Sequence, residues 1–164
     1  MVDLKGKRVV LTGASSGIGE AVAEKFARCG ATIERALGGV DILVDNAGRS
    51  IRRTLAESLE RWQDVDRTMS LNYYPPPRLI RGLAPGMLQR GDGHIINVAA
   101  WGVLSESSPL FAVYNASKAA LPAVSRVIET EWSDLGRAFD DAVLPAGEHP
   151  QDRADQGLRR ALSR

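Results

Sequence analysis

Arg8–Leu11 reads RVVL, a short and mostly apolar run closed by Thr12-Gly13, the pattern of a strand buried on both faces. Beyond it the spacing changes. Ile18, Val22 and Phe26 recur four apart with Ala21, Ala23 and Ala27 beside them, which predicts a helix from Gly17 with one apolar face. Gly30 marks its end. The rhythm then repeats. Asp41–Val44 (DILV) reads as a second buried strand ended by Asn46-Ala47-Gly48, and a mostly polar helix is expected over Leu55–Asn72. A further helix should begin near Pro77, because Pro75, Pro76 and Pro77 crowd its start and proline is tolerated only in a first turn. His94–Val98 (HIINV) is a third strand, and a helix over Tyr114–Trp132 carries Leu121, Val124 and Ile128 on one face. Strands alternating with helices predict an α/β fold with a parallel sheet. The last 28 residues hold ten charged residues, two prolines and no periodic apolar face. The chain therefore divides into a folded unit over 1–136 and a mostly disordered tail over 137–164.

Composition narrows the field without changing that picture. A chain of 164 residues, 44% apolar and 25% charged, suits one globular domain. A formal net charge of +1 gives no field to attract nucleic acid or an anionic membrane. No run approaches the ~18 apolar residues of a membrane span, and Met1–Lys7 lacks the apolar stretch of a signal peptide. The single cysteine, Cys29, makes no intrachain disulfide, which fits a reducing, cytoplasmic setting. His94 and His149 lie far apart with no Cys/His cluster around them, so no metal site is expected.

The chemistry gathers in three motifs. Thr12–Gly19 (TGASSGIG) joins the first strand to the first helix. Gly13, Gly17 and Gly19 let the backbone turn tightly and approach a pyrophosphate, and the helix N-terminus behind them offers free N–H groups. No GK[ST] follows, so a P-loop is excluded. The bland alternative is a Gly/Ser turn. Tyr114 and Lys118 stand four apart on one helix face. An ammonium near a phenol lowers the phenol's pKa from ~10, so that it can exchange a proton with an alcohol or carbonyl. On spacing alone such a pair is usually a surface contact.

TGASSGIG, then Asp45–Gly48 (DNAG), then Tyr114–Lys118 in YNASKAAL occur in the order of the short-chain dehydrogenase/reductase family, which the chain resembles from about Lys5 to Trp132. The resemblance implies a Rossmann-like parallel sheet with flanking helices. It implies an oxidoreductase that moves hydride between NAD or NADP and a small-molecule alcohol/carbonyl pair. Tyr114 would be the acid/base, and Lys118 would also hold the nicotinamide ribose. Gly13, Ser15, Ser16, Gly17, Ile18, Gly19, Asn46, Ala47 and Gly48 would bind the cofactor, Asn46 on its adenine side while also bracing the central strand. Asn72 in LNYY would hold a proton-relay water, with a helix-capping asparagine as the alternative, and helices after LNYY and at YNASK would form a homo-oligomer. No nucleic-acid partner is implied.

The chain also departs from the family. Asp45 stands where an asparagine is common. Ala99 and Ala100 fill the positions of the catalytic serine, with Ser105, Ser107 and Ser108 as distant substitutes. Between Gly30 and Asp41 roughly 30 residues are absent by comparison with the family, so Glu34 and Arg35 at the junction do not decide between NAD and NADP. The sheet is thus expected to be incomplete, its second and third strands and its C-terminal strands missing, with Gly30–Ile33 as the start of a second strand. If the first helix led directly to the NAG strand its crossover would be left-handed, a disfavoured arrangement. Pro122 falls within the catalytic helix and removes the N–H that would meet the Lys118 carbonyl, at about 3 kcal/mol. The missing segment and the atypical stretch from Gly136 to Arg164 are expected to reflect an internal deletion and a shifted reading frame in the gene. These departures leave a second functional expectation beside the enzyme: an inactive remnant or a non-catalytic nucleotide-binding module.

Overall fold

A computed structural model describes residues 4–33, 39–104, 109–132 and 138–142. Five parallel strands form one sheet in the order β2-β1-β3-β4-β5: β1 Arg8–Leu11, β2 Thr32–Ile33, β3 Ile42–Asp45, β4 His94–Val98 and β5 Ala138–Ala142. The helices are α1 Gly17–Arg28, α2 Leu55–Ser58, α3 Trp62–Asn72, α4 Pro75–Arg90 and α5 Ala112–Trp132. Strand alternation sorts side chains into two layers. Val9, Ile42, Val44, Ile96 and Val98 meet Val22 and Phe26 of α1 on one face. Leu43 and Ile95 meet Ile80, Leu83 and Met87 of α4 on the other, with Ile128 and Trp132 of α5 against them. Both faces of the strands are covered, as the continuous apolar runs require.

The Rossmann-like expectation holds, the sheet being partial relative to the full fold, but two of its strands differ from the sequence reading. β2 survives as two residues paired to β1 through Arg8↔Thr32 and Val9↔Ile33. Since β3 pairs on the other side of β1, α1 leads to β2 and need not serve as a left-handed connection from β1 to β3. The tail expected from residue 137 instead opens with β5, in register with β4 from His94↔Ala138 to Val98↔Ala142. A strand of sequence AFDDA shows no alternation that marks it in isolation; the open edge of β4 supplies its partners. Residues 143–164, the rest of that expected tail, lie outside the described residues.

Three helix boundaries also differ. The polar helix over 55–72 divides at Leu59–Arg61. Asp64 lies in the first turn of α3, where its carboxylate takes Arg61 Nε at 3.0 Å and Arg53 Nε at 3.2 Å. α4 begins at Pro75, not Pro77, because all three prolines sit in a first turn whose N–H groups have no helical acceptor. α5 runs through Pro122 without a break, from Ala112 rather than Tyr114. Leu121, Pro122 and Ser125 are buried on the sheet side of α5, so packing outweighs the lost N–H.

At the start of the strands, Asp41 takes the Arg8 backbone N–H and a two-pronged contact from its guanidinium at 2.9 and 3.1 Å. The polar residues with chemical potential collect at the opposite, C-terminal ends.

Candidate active site

Two loops lie against each other at the ends of β1 and β3. Thr12 Oγ1 accepts the N–H groups of Asn46 and Ala47, each at 3.0 Å. The Asn46 amide donates to the carbonyls of Thr12 at 3.2 Å and Gly13 at 3.3 Å. So close an approach needs small residues. A Cβ at Gly13 would lie 2.9 Å from Ala47 Cα, and one at Gly19 would run into the Gly13 carbonyl. Gly17 opens α1, and Ser16 caps it in an extended conformation with no side-chain hydrogen bond. The first-turn N–H groups of α1 therefore stay open toward the loop, a site suited to an anion. Gly19→Ala is accordingly expected to abolish dinucleotide binding and lower the melting temperature. Calorimetry with and without NADH or NADPH checks this; a variant that binds as wild type does overturns it.

A groove of about 630 Å³ runs along these loops. Gly13, Ser15, Ser16 and Ile18 line one end. Asn46, Ala47 and Gly48 form its floor, and Tyr114 and Lys118 reach it from α5. The structure thus gathers nine of the expected site residues along one groove. Gly17 and Gly19 shape the bend from outside it. Asn72 lies apart, fully buried: its Oδ1 accepts the Arg49 N–H at 2.9 Å, and its Nδ2 donates to the Arg49 carbonyl at 3.1 Å and to Ser117 Oγ at 3.0 Å. Ser117 in turn donates to the Tyr114 carbonyl at 2.7 Å. Asn72 therefore braces the loop after β3 against the turn of α5 that carries the tyrosine.

Tyr114 is half-buried and packs on Phe111, ring centroids 6.2 Å apart. Burial pushes its phenol above the ordinary value. The expected lowering by Lys118 is absent, because that ammonium turns inward. It donates to the Val98 carbonyl at 2.9 Å and, at 3.4 Å, to that of Ala47. Gly48 permits the passage, since a Cβ there would stand 3.0 Å from Lys118 Cε. Lys118 is 2% exposed. Burial lowers its pKa to about 8, with Asp45 acting in the opposite direction. Burial likewise raises Asp45 to about 7, with Lys118 opposing.

Ala99 and Ala100 line the groove as apolar surface beside Tyr114, so neither offers a hydrogen bond where the family has serine. Ser105, Ser107 and Ser108 lie outside the described residues, as do Glu34 and Arg35. The sequence reading missed Thr12, Asn97, Phe111, Asn115, Ser117 and Ser125. Of these, Asn97 had a signal: a polar residue inside the run HIINV needs a buried partner. Among the described residues no group of His, Cys, Asp and Glu could hold a metal, and no helix is long and apolar enough to cross a membrane.

Comparison with known proteins places this architecture. A profile described as short chain dehydrogenase matches residues 29–136. A protein named fatty acyl-CoA reductase from Mycobacterium tuberculosis is 57% identical over 179 aligned residues, taking in 82% of this chain and 61% of that protein. A fatty acyl-CoA reductase from Acinetobacter baylyi is 38% identical over 173, taking in 79% and 58%. Both alignments are longer than the 164-residue chain, so each relative carries residues with no counterpart within it. The chain spans about three-fifths of the length of these relatives. Among solved structures, a short-chain dehydrogenase from Streptomyces avermitilis superposes with a TM-score of 0.78 at 28% identity, over 87% of this chain and 67% of that one. A metagenomic short-chain oxidoreductase in complex with NADP gives 0.83 at 23% identity, over 96% and 91%.

Proposed function

Since the chain belongs to the short chain dehydrogenase family, we propose that it binds a nicotinamide dinucleotide, NAD(H) or NADP(H), and exchanges hydride with the carbonyl of a fatty acyl substrate. Bound, the dinucleotide supplies or receives the hydride. The open N–H groups of α1 hold its pyrophosphate, with Ser15 and Ser16 at the groove's edge. Tyr114 holds the proton that the substrate oxygen gains or loses. Lys118 turns from its backbone acceptors toward the groove to hold the ribose and lower the tyrosine's pKa. The observation that carries this reading is the single groove joining the glycine bend to Tyr114 and Lys118. Leu71, Val98, Ala99, Trp101 and Phe111 give that groove an apolar wall suited to an acyl chain. The names of the two relatives support the substrate class. Homo-oligomerisation through α4 and α5 belongs to the same proposal, supported by the exposed Tyr74 and Val127.

A second reading is a nucleotide-binding module without turnover. The alanines at the serine positions favour it. Thermal unfolding with NADH and NADPH side by side tests what the two share. At a concentration 100 times its Kd, a bound cofactor stabilises by about 2.7 kcal/mol, a rise of roughly 5–10 °C for a domain of this size. A shift with one cofactor supports the site, and oxidation of that cofactor in the presence of a fatty acyl-CoA selects the enzyme. No shift with either cofactor overturns both.

A further inference from the structure

Beneath the groove lies a buried polar cluster that the proton chemistry at Tyr114 does not use. Asp45, the last residue of β3, is 1% exposed, and neither carboxyl oxygen has a hydrogen-bond partner. An ionised carboxylate so placed carries a large desolvation cost. Asn97 is its register partner on β4. The two side chains therefore leave the sheet on the same face, on strands about 4.8 Å apart. Asn97 Nδ2 donates to Ser125 Oγ at 2.7 Å, and Ser125 donates to the Leu121 carbonyl at 3.1 Å. That relay fixes the orientation of the amide. Ser125 Oγ is the acceptor, so Nδ2 faces it and Oδ1 is turned elsewhere, buried and without a donor. An orphaned acceptor and an orphaned carboxyl side by side need one proton between them, and the acid form of Asp45 supplies it.

Among the described residues one charge bears on Asp45, the Lys118 ammonium of α5, which donates to the carbonyls of Ala47 and Val98, just beyond Asp45 and Asn97 in the chain. α4 covers this face with Ile80, Leu83 and Met87. Asp64 of α3 is already held by Arg53 and Arg61. Among the described residues no hydrogen bond joins Asp45 to Lys118, whose ammonium donates to carbonyl oxygens alone. A buried ammonium with no anion beside it loses its proton early.

We propose that Asp45 is a positioning residue for Lys118: neutral, it donates its proton to Asn97 Oδ1, and on losing that proton it becomes the buried counter-charge that keeps Lys118 an ammonium beside the groove. The functional consequence rests on the reading in which Lys118 serves the cofactor. Asp45 and Lys118 then titrate as one pair, shedding two protons in sequence, the carboxyl's first. A purely structural Asp45 would leave the lysine's titration unmoved.

The experiment follows Lys118 by NMR of ¹³C-labelled lysine in the cofactor-free protein, with Lys118→Arg to assign the signal, and compares wild type with Asp45→Asn. Asparagine can still donate to Asn97 Oδ1 but cannot ionise. Lys118 is expected to lose its proton about half a pH unit or more lower in Asp45→Asn. NADH and NADPH affinities are measured at pH 6 and pH 8. The variant is expected to lose about threefold or more affinity across that range relative to wild type. Equal lysine titration in the two proteins overturns the proposal. A shifted titration with no cofactor binding at any pH sustains the Asp45–Lys118 pairing and overturns the cofactor reading instead. If Asp45→Asn does not fold, the Asp45 carboxyl carbon in wild type decides: no titration between pH 6 and 8 sinks the idea.

Discussion

A serine returned at Ala99 or Ala100, one position at a time, is expected to raise kcat/KM with a fatty acyl-CoA by about 10²–10³-fold at one of the two. Losing a single hydrogen-bond donor to a developing oxyanion costs about 3–4 kcal/mol in enzymes of comparable logic, and regaining it returns a similar amount. Both alanines line the groove that Tyr114 also lines, at 4% and 8% exposure, so an added hydroxyl sits in the groove's packed wall within its reach. Tyr114→Phe in the improved background is expected to erase the gain, since the proton then has no donor. The cofactor-induced thermal shift should stay as in wild type, because neither substitution touches the glycine bend. Steady-state assays of the single and double variants decide the matter. If neither serine raises kcat/KM beyond about threefold, the missing donor is not what limits the chain.

The difference between what the sequence made legible and what it hid follows range. β1, β4 and α1 were readable because their apolar spacing reports local geometry. The glycine bend was readable because close approach at Gly13 and Gly19 admits no side chain. Tyr114 and Lys118 were placed on one helix face correctly, but the lysine's direction was not, since it depends on carbonyls at Ala47 and Val98, distant in sequence. β5 was hidden for the same reason: its sequence carries no alternation, and the edge of β4 decides it. Asn72 was noticed but its use was not, because its amide is taken by Arg49 and Ser117, which only the assembled fold brings to it. Asp45 looked like a modest departure from the family. Only burial, with no partner for either oxygen, makes it the most consequential one.

That burial predicts an unusual dependence of stability on pH. Folded, Asp45 keeps its proton up to about 7, against 3.8 ordinarily. Between those values the folded chain binds more protons than the unfolded one, so stability falls as pH rises from about 4 to 7. Lys118 titrates near 8 when folded, against 10.5 ordinarily. There the folded chain binds fewer protons, so stability recovers as pH rises from about 8 toward 10.5. The minimum therefore lies near pH 7–8. Asp41, held low by Arg8, contributes stability that is lost only as pH falls below the ordinary carboxylate range, which leaves the window above pH 5 to the buried pair. Three pKa units correspond to about 4 kcal/mol as an upper bound for Asp45. Asp45→Asn is expected to gain about 2–3 kcal/mol at pH 7.5, less than the bound because Lys118 then loses its counter-charge. The gain should shrink as pH falls below 7 and vanish only below about pH 4, where Asp45 is neutral in the folded and the unfolded wild type alike. Urea denaturation of both proteins from pH 5 to pH 9 measures it, since the midpoint at constant slope reports stability directly. Two curves separated by the same amount at every pH would mean that Asp45 is not carrying a proton in the folded core, and its pairing with Asn97 and Lys118 would fall with it.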